Sequence, residues 1–175
     1  MSLKISRKNT RTTSLLAFQD CYPEELSHCY GCGKNNEQGH QLKSFWQQCD
    51  KEKVNKTIAY FTPKDFHTAI PGFVYGGLIA SLIDCHGTGS AAAMAYKNDN
   101  RDMGTLPAHR FVTAALNVSY LAPTPQDVEL VLIGHFSEVK ERKIVVEVTV
   151  SANDIICAKG TVVAVKMPES MNISK

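Results

Sequence analysis

Asp84 is the only residue between His67 and Tyr96 that carries a formal charge at neutral pH, and it stands in the run Leu82-Ile83-Asp84-Cys85-His86. A carboxylate buried without partners costs several kcal/mol, so it must be hydrogen-bonded, protonated, or open to water and substrate. Burial also lifts a carboxyl toward the range where it works as a general base, or leaves it poised as a nucleophile. The plainer alternative is an Asp tied to a nearby Ser or Thr with no reaction to perform, and periodicity does not separate the two. On a helix, positions three, four and seven away put Gly77, Ala80, Ser81, Gly87, Thr88 and Ala91 beside Asp84. Such small residues leave room for a ligand or for a second backbone, and Ser81 and Thr88 are the polar candidates on that face. Gly76 and Gly77 precede Asp84 by eight and seven residues, at the expected helix start. There, unpaired backbone amides and the helix dipole can hold a developing oxyanion, although the same glycines could simply complete a turn after Pro71-Gly72.

Other reactive side chains compete less well. Cys29 and Cys32, with His28, His40 and Cys21 nearby, have the spacing of half a zinc site, but the second Cys-x-x-Cys pair is missing and no metal ligand set is assigned. Cys85 and His86 are adjacent, so on a helix they point about 100° apart and cannot act as a nucleophile–base pair. His67, His109 and His135 occur singly. Arg110 and the Lys140–Lys143 cluster are basic enough to meet phosphates, or are simply solvated.

These residues need a scaffold. Residues 74–96 are long and apolar enough for one helix, broken from what precedes by Pro71-Gly72. Before it, residues 42–49 and 53–61 suit a hairpin turning at Asp50-Lys51-Glu52, with Val54, Ile58 and Tyr60 on one face. After it come a polar stretch and then strict alternation, with Leu116, Val118 and Tyr120 on one side and Thr113, Ala115, Asn117 and Ser119 on the other. Residues 128–136, 143–151 and 155–166 repeat the pattern between short turns. The fold class is therefore α+β: one long helix, apolar nearly all round, wrapped by a curved antiparallel sheet of about six strands.

A chain of 175 residues with 43% hydrophobic content supports one sizeable core, expected over residues 21–168, with residues 1–20 a basic tail and 169–175 a second tail. The net charge of +2 gives no electrostatic case for nucleic acid or a membrane surface. With no apolar secretion segment, a cytoplasmic location and six reduced cysteines (Cys21, Cys29, Cys32, Cys49, Cys85, Cys157) are expected.

The string Ile70-Pro71-Gly72-Phe73-Val74-Tyr75-Gly76-Gly77-Leu78-Ile79-Ala80-Ser81-Leu82-Ile83-Asp84 resembles the helix-start motif of hotdog-fold acyl-CoA thioesterases of the phenylacetate-pathway, PaaI-like type. Cys29-Tyr30-Gly31-Cys32-Gly33 with Asn35-Asn36, and Val112-Thr113-Ala114 through Asn117-Val118-Ser119-Tyr120-Leu121, extend the resemblance over residues 29–166. It implies the hotdog fold and a homodimer, or a dimer of dimers, with sites at the subunit interface. It also implies acyl-CoA hydrolysis, with coenzyme A as part of the substrate and no other cofactor. Asp84 then matches the acid that activates water or attacks the thioester, a Gly76 or Gly77 amide the oxyanion donor, and Thr113 a Thr beside the reacting centre. Tyr75, Ser81, Thr88, Asn117 and Arg110 become candidate substrate contacts. Tyr75 departs from the family, which commonly has His there, and residues 96–108 read as an insertion over the pocket. An acyl-CoA-binding protein without turnover, or a hotdog dehydratase or hydratase, are the alternative functions; the latter pairs a His with the acid, and no His suits that role.

Overall fold

The computed structural model describes residues 16–47 and 55–171. The expected turn at Asp50-Lys51-Glu52 and residues 1–15 lie outside them. In chain order the elements are β1 (Ser44–Gln47), β2 (Lys56–Phe61), β3 (Thr68–Ile70), β4 (Phe73–Val74), α1 (Gly76–Asn98), β5 (Phe111–Tyr120), β6 (Leu130–Val139), β7 (Lys143–Ala152) and β8 (Ile155–Lys166). Six strands form one sheet in the order β1-β2-β6-β7-β8-β5, antiparallel throughout. The short β3–β4 pair stands apart and leads into the helix. One long helix against a six-stranded antiparallel sheet is the hotdog arrangement that the sequence implies.

Alternation explains the sheet. On β6, β7 and β8 the helix-facing residues Leu130, Leu132, Val146, Val148, Val150, Ala158, Val162 and Ala164 are buried, while their neighbours, Cys157 apart, are more exposed. α1 meets them with Leu78, Leu82, Ile83 and Ala92. Close approach depends on glycine: a Cβ on Gly87 would lie 2.5 Å from Val162 Cγ2, and one on Gly160 would lie 2.6 Å from Ile83 Cγ2. Helix and sheet backbones therefore touch where larger residues would hold them apart.

Two boundaries move. The helix keeps the expected length but starts at Gly76 and ends at Asn98, because Val74 pairs with Thr68 in the small hairpin. The buried core takes in Ala17 and Phe18, ahead of the expected boundary at residue 21, through a 3₁₀ turn (Phe18–Cys21) packed on α1 and β1. The stretch read as an insertion is helical to Asn98, then folds on itself: Arg101 donates to the Thr105 and Pro107 carbonyls, and Tyr96 Oη donates to the Thr105 carbonyl. Among the described residues no helix is long and apolar enough to cross a membrane.

Candidate active site

Asp84 is half-buried two turns into α1, and its Oδ1 accepts a hydrogen bond from Thr113 Oγ1 on β5. Burial raises the Asp84 carboxyl above the ordinary range; the Thr113 bond pulls the other way, and the nearby Cys29 charge adds to the rise. A local irregularity aims Thr113 at the helix. Thr113 pairs with Ala164, yet Ala115 pairs with Val163, so β5 carries one extra residue at a β-bulge. The bulge corrects the strict alternation expected from sequence: Thr113 shares the helix-facing side with Leu116, Val118 and Tyr120, whose partners Val162, Gly160 and Ala158 point the same way. Asn117 and Ser119 face outward, beside His135, Glu147, Lys159 and Thr161. Asn117 is thus separated from Asp84 by the sheet itself.

At the helix start, Tyr75 is the N-cap residue with extended backbone, φ −73° and ψ 144°, and its side chain makes no cap hydrogen bond. The Gly76 and Gly77 amides belong to the first turn, where N–H groups have no partner within the helix. A Cβ at Gly77 would meet the Tyr75 ring at 2.5 Å, so that ring lies over the glycine. Tyr120 Oη donates to the Gly76 carbonyl at 2.8 Å. Val74, Gly76, Gly77, Ile79 and residues 120–124 line a wide, open depression of about 560 Å³ at the helix start.

The remaining candidates scatter. Ser81 approaches Gly31, whose Cβ would be 3.2 Å from its Oγ. Thr88 Oγ1 donates to the Asp84 carbonyl at 3.0 Å, which uses its hydroxyl within the helix. Arg110 stacks on Tyr22, its guanidinium carbon 4.0 Å from the ring centroid.

Two groupings are invisible in the spacing of the chain. Cys29, Cys32 and Cys85 bring three sulfurs within 4.8 Å of one another. Hydrogen bonds from Cys32 and Cys85 hold the Cys29 thiol well below its ordinary range and push the two donors up, so the cluster favours one shared thiolate. On the other side of α1, fully buried His86 bonds Ser44 Oγ through Nδ1 at 2.9 Å and Thr57 Oγ1 through Nε2 at 3.2 Å. Thr57 also bonds Ser90 Oγ at 2.7 Å, and Gln19 Nε2 donates to Ser44 Oγ at 3.0 Å. Only the polarity of residues sitting at core positions on four separate elements hinted at this network.

A protein described as a thioesterase superfamily protein from Shewanella loihica PV-4 is 52% identical, with 84% of this chain and 100% of that one covered at a TM-score of 0.61. The family model for the thioesterase superfamily matches residues 71–159. This chain belongs to the thioesterase superfamily. More distant structures share the superfamily member's fold: the yhdA protein of Lactococcus lactis is 18% identical over 73% of this chain and 92% of its own, at a TM-score of 0.58. The PaaI protein from the E. coli phenylacetic acid degradation operon is 13% identical over 65% and 73%, at a TM-score of 0.50. No curated protein matches this chain. The matched segment contains the helix start, Asp84 and Thr113.

Proposed function

We propose that this thioesterase-superfamily protein hydrolyses acyl-CoA to the free acid and coenzyme A. The observation that carries the reading is the half-buried Asp84 carboxylate, alone in charge on its helix face and held by Thr113 from the sheet. Asp84 takes a proton from water, the resulting hydroxide adds to the thioester carbonyl, and the C–S bond breaks with release of the coenzyme A thiolate. Thr113 fixes which carboxylate oxygen faces the water. Direct attack by Asp84, giving an anhydride that water then opens, uses the same geometry.

The carbonyl oxygen sits on the Gly76 or Gly77 amide, but of a second copy. Eight residues of helix span roughly 12 Å, so Asp84 and the Gly76 amide of one chain cannot address one carbonyl. A site shared across a dimer solves this, and strand β5, at the edge of the sheet with Leu116 and Tyr120 exposed, offers the surface for it.

The test is thiol release from short, long and aromatic acyl-CoAs, with Asp84→Asn alongside. Turnover in the native protein and a loss of about 10²–10⁴ in the variant supports the proposal, since a positioned base contributes on that scale. A second reading, binding of acyl-CoA without turnover, is favoured by the Tyr75 ring lying over Gly77. Equal binding by both proteins with no thiol released would establish it instead. A dehydratase gains no support, because His86, two residues from Asp84 in sequence, commits both ring nitrogens to Ser44 and Thr57.

A further inference from the structure

Cys29, Cys32 and Cys85 come from two parts of the chain: a tight loop before the sheet and the middle of α1. Their sulfurs converge within 4.8 Å, and Cys29 Sγ stands 3.8 Å from Cys85 Sγ. Tetrahedral zinc with bonds of about 2.3 Å to sulfur requires sulfurs about 3.8 Å apart. The loop is shaped for this approach. A Cβ on Gly31 would sit 2.2 Å from Cys85 Sγ, and one on Gly33 would sit 2.5 Å from both the Cys29 nitrogen and the Ser27 carbonyl oxygen. Both glycines of Cys29-Tyr30-Gly31-Cys32-Gly33 are therefore required where they stand. The loop is further fixed by Gly33 N–H to the Cys29 carbonyl at 2.7 Å, and by Leu42 N–H to the Gly31 carbonyl at 3.0 Å.

We propose that Cys29, Cys32 and Cys85 form a three-thiolate site for a thiophilic divalent cation, zinc being the ion that fits. The missing second Cys-x-x-Cys pair, which argued against a metal in the sequence, is replaced by one thiol from the helix. Three thiols release their protons on binding, which leaves the site with a net charge of −1. Cys32 and Cys85 are buried and Cys29 is exposed, so the fourth coordination position opens on the Cys29 side toward solvent. A disulfide would join two of these sulfurs and leave the third without a purpose for its convergence.

The full-length protein, purified under reductant and without chelator, is expected to carry about one zinc per chain by elemental mass spectrometry. Cobalt in its place gives thiolate-to-metal charge-transfer bands and the visible bands of a tetrahedral site. Cys85→Ser weakens binding by at least about 10²-fold, and Cys29→Ser, at the exposed ligand, does the same with an unchanged circular dichroism spectrum. Background zinc and no cobalt bands, in protein whose thiols count as reduced by Ellman's reagent after denaturation, would overturn the site. So would a native mass about 2 Da low that maps to a Cys29–Cys32 disulfide. Metal content is read without any hydrolysis, so the outcome stands apart from the proposed activity.

Discussion

Thr113 and His86 show what single side chains contribute on the two sides of α1. Thr113→Val keeps the shape of the side chain and removes the donor to Asp84. A hydrogen bond to a charged group is worth about 1.5–3 kcal/mol, so kcat should fall roughly 10- to 100-fold with KM little changed, while Thr113→Ser retains most of the rate. Steady-state kinetics on the best acyl-CoA decide this. For His86, burial depresses the imidazole from its ordinary 6.5 to about 4. The unfolded chain thus binds a proton near pH 6.5 that the folded protein refuses until near pH 4. Stability is full above the unfolded value, declines as pH falls through this window, and levels off below 4, a loss of roughly 3 kcal/mol. Urea midpoints between about pH 7.5 and 5 should show that decline. Asp84 was legible in the sequence because a single charge in an apolar run is visible without coordinates. His86 was not, because the partners that satisfy it, Ser44 and Thr57, lie 42 and 29 residues away.

At the level of elements, contact between α1 and β8 is limited by the space at Gly87. Alanine there gains about 1 kcal/mol of helix propensity, yet its Cβ would meet three Val162 atoms at 2.5, 2.7 and 2.9 Å. Overpacking of that kind costs about 1–3 kcal/mol, so Gly87→Ala should be destabilising overall by about 1 kcal/mol. Adding Val162→Ala should recover part of the loss, giving a non-additive double-mutant cycle in thermal or urea unfolding. Strands β6, β7 and β8 were legible because alternation holds over most of their length, the register shifting only between Phe136 and Glu138 and between Val150 and Ser151, toward strand ends. The phase of β5 was not, since a bulge alters which side each residue takes without altering composition. On β2 the apolar pair Ile58 and Tyr60 marks the outer side, while Thr57 and Ala59 face the helix, an inversion that the buried His86 network imposes.

For the whole molecule, a site shared between copies makes a sharp prediction. Gly76→Pro deletes one amide at the first helical position, where proline is tolerated, and the extended backbone of Tyr75 already suits a following proline. Asp84→Asn and Gly76→Pro should each be nearly inactive alone. Mixed through unfolding and refolding, half of the dimers become heterodimers with one intact site of two, so activity should return to about a quarter of the native value. Recovery well below that in a mixture shown to exchange subunits would place base and oxyanion donor in one chain. The family and its fold were legible because the motif strings run in order along the chain; the convergence of three thiols was not, because it depends on where a loop before the sheet meets the helix.

Ala114 is the surplus residue of the β5 bulge. It contributes no chemistry. Loss of this one exposed alanine would close the ladder with Thr113 still opposite Ala164 and Ala115 still opposite Val163, so Thr113 would go on facing Asp84. The strand can therefore shed a residue of length at this point without changing what the helix meets, whereas a substitution of Thr113 itself removes the contact outright.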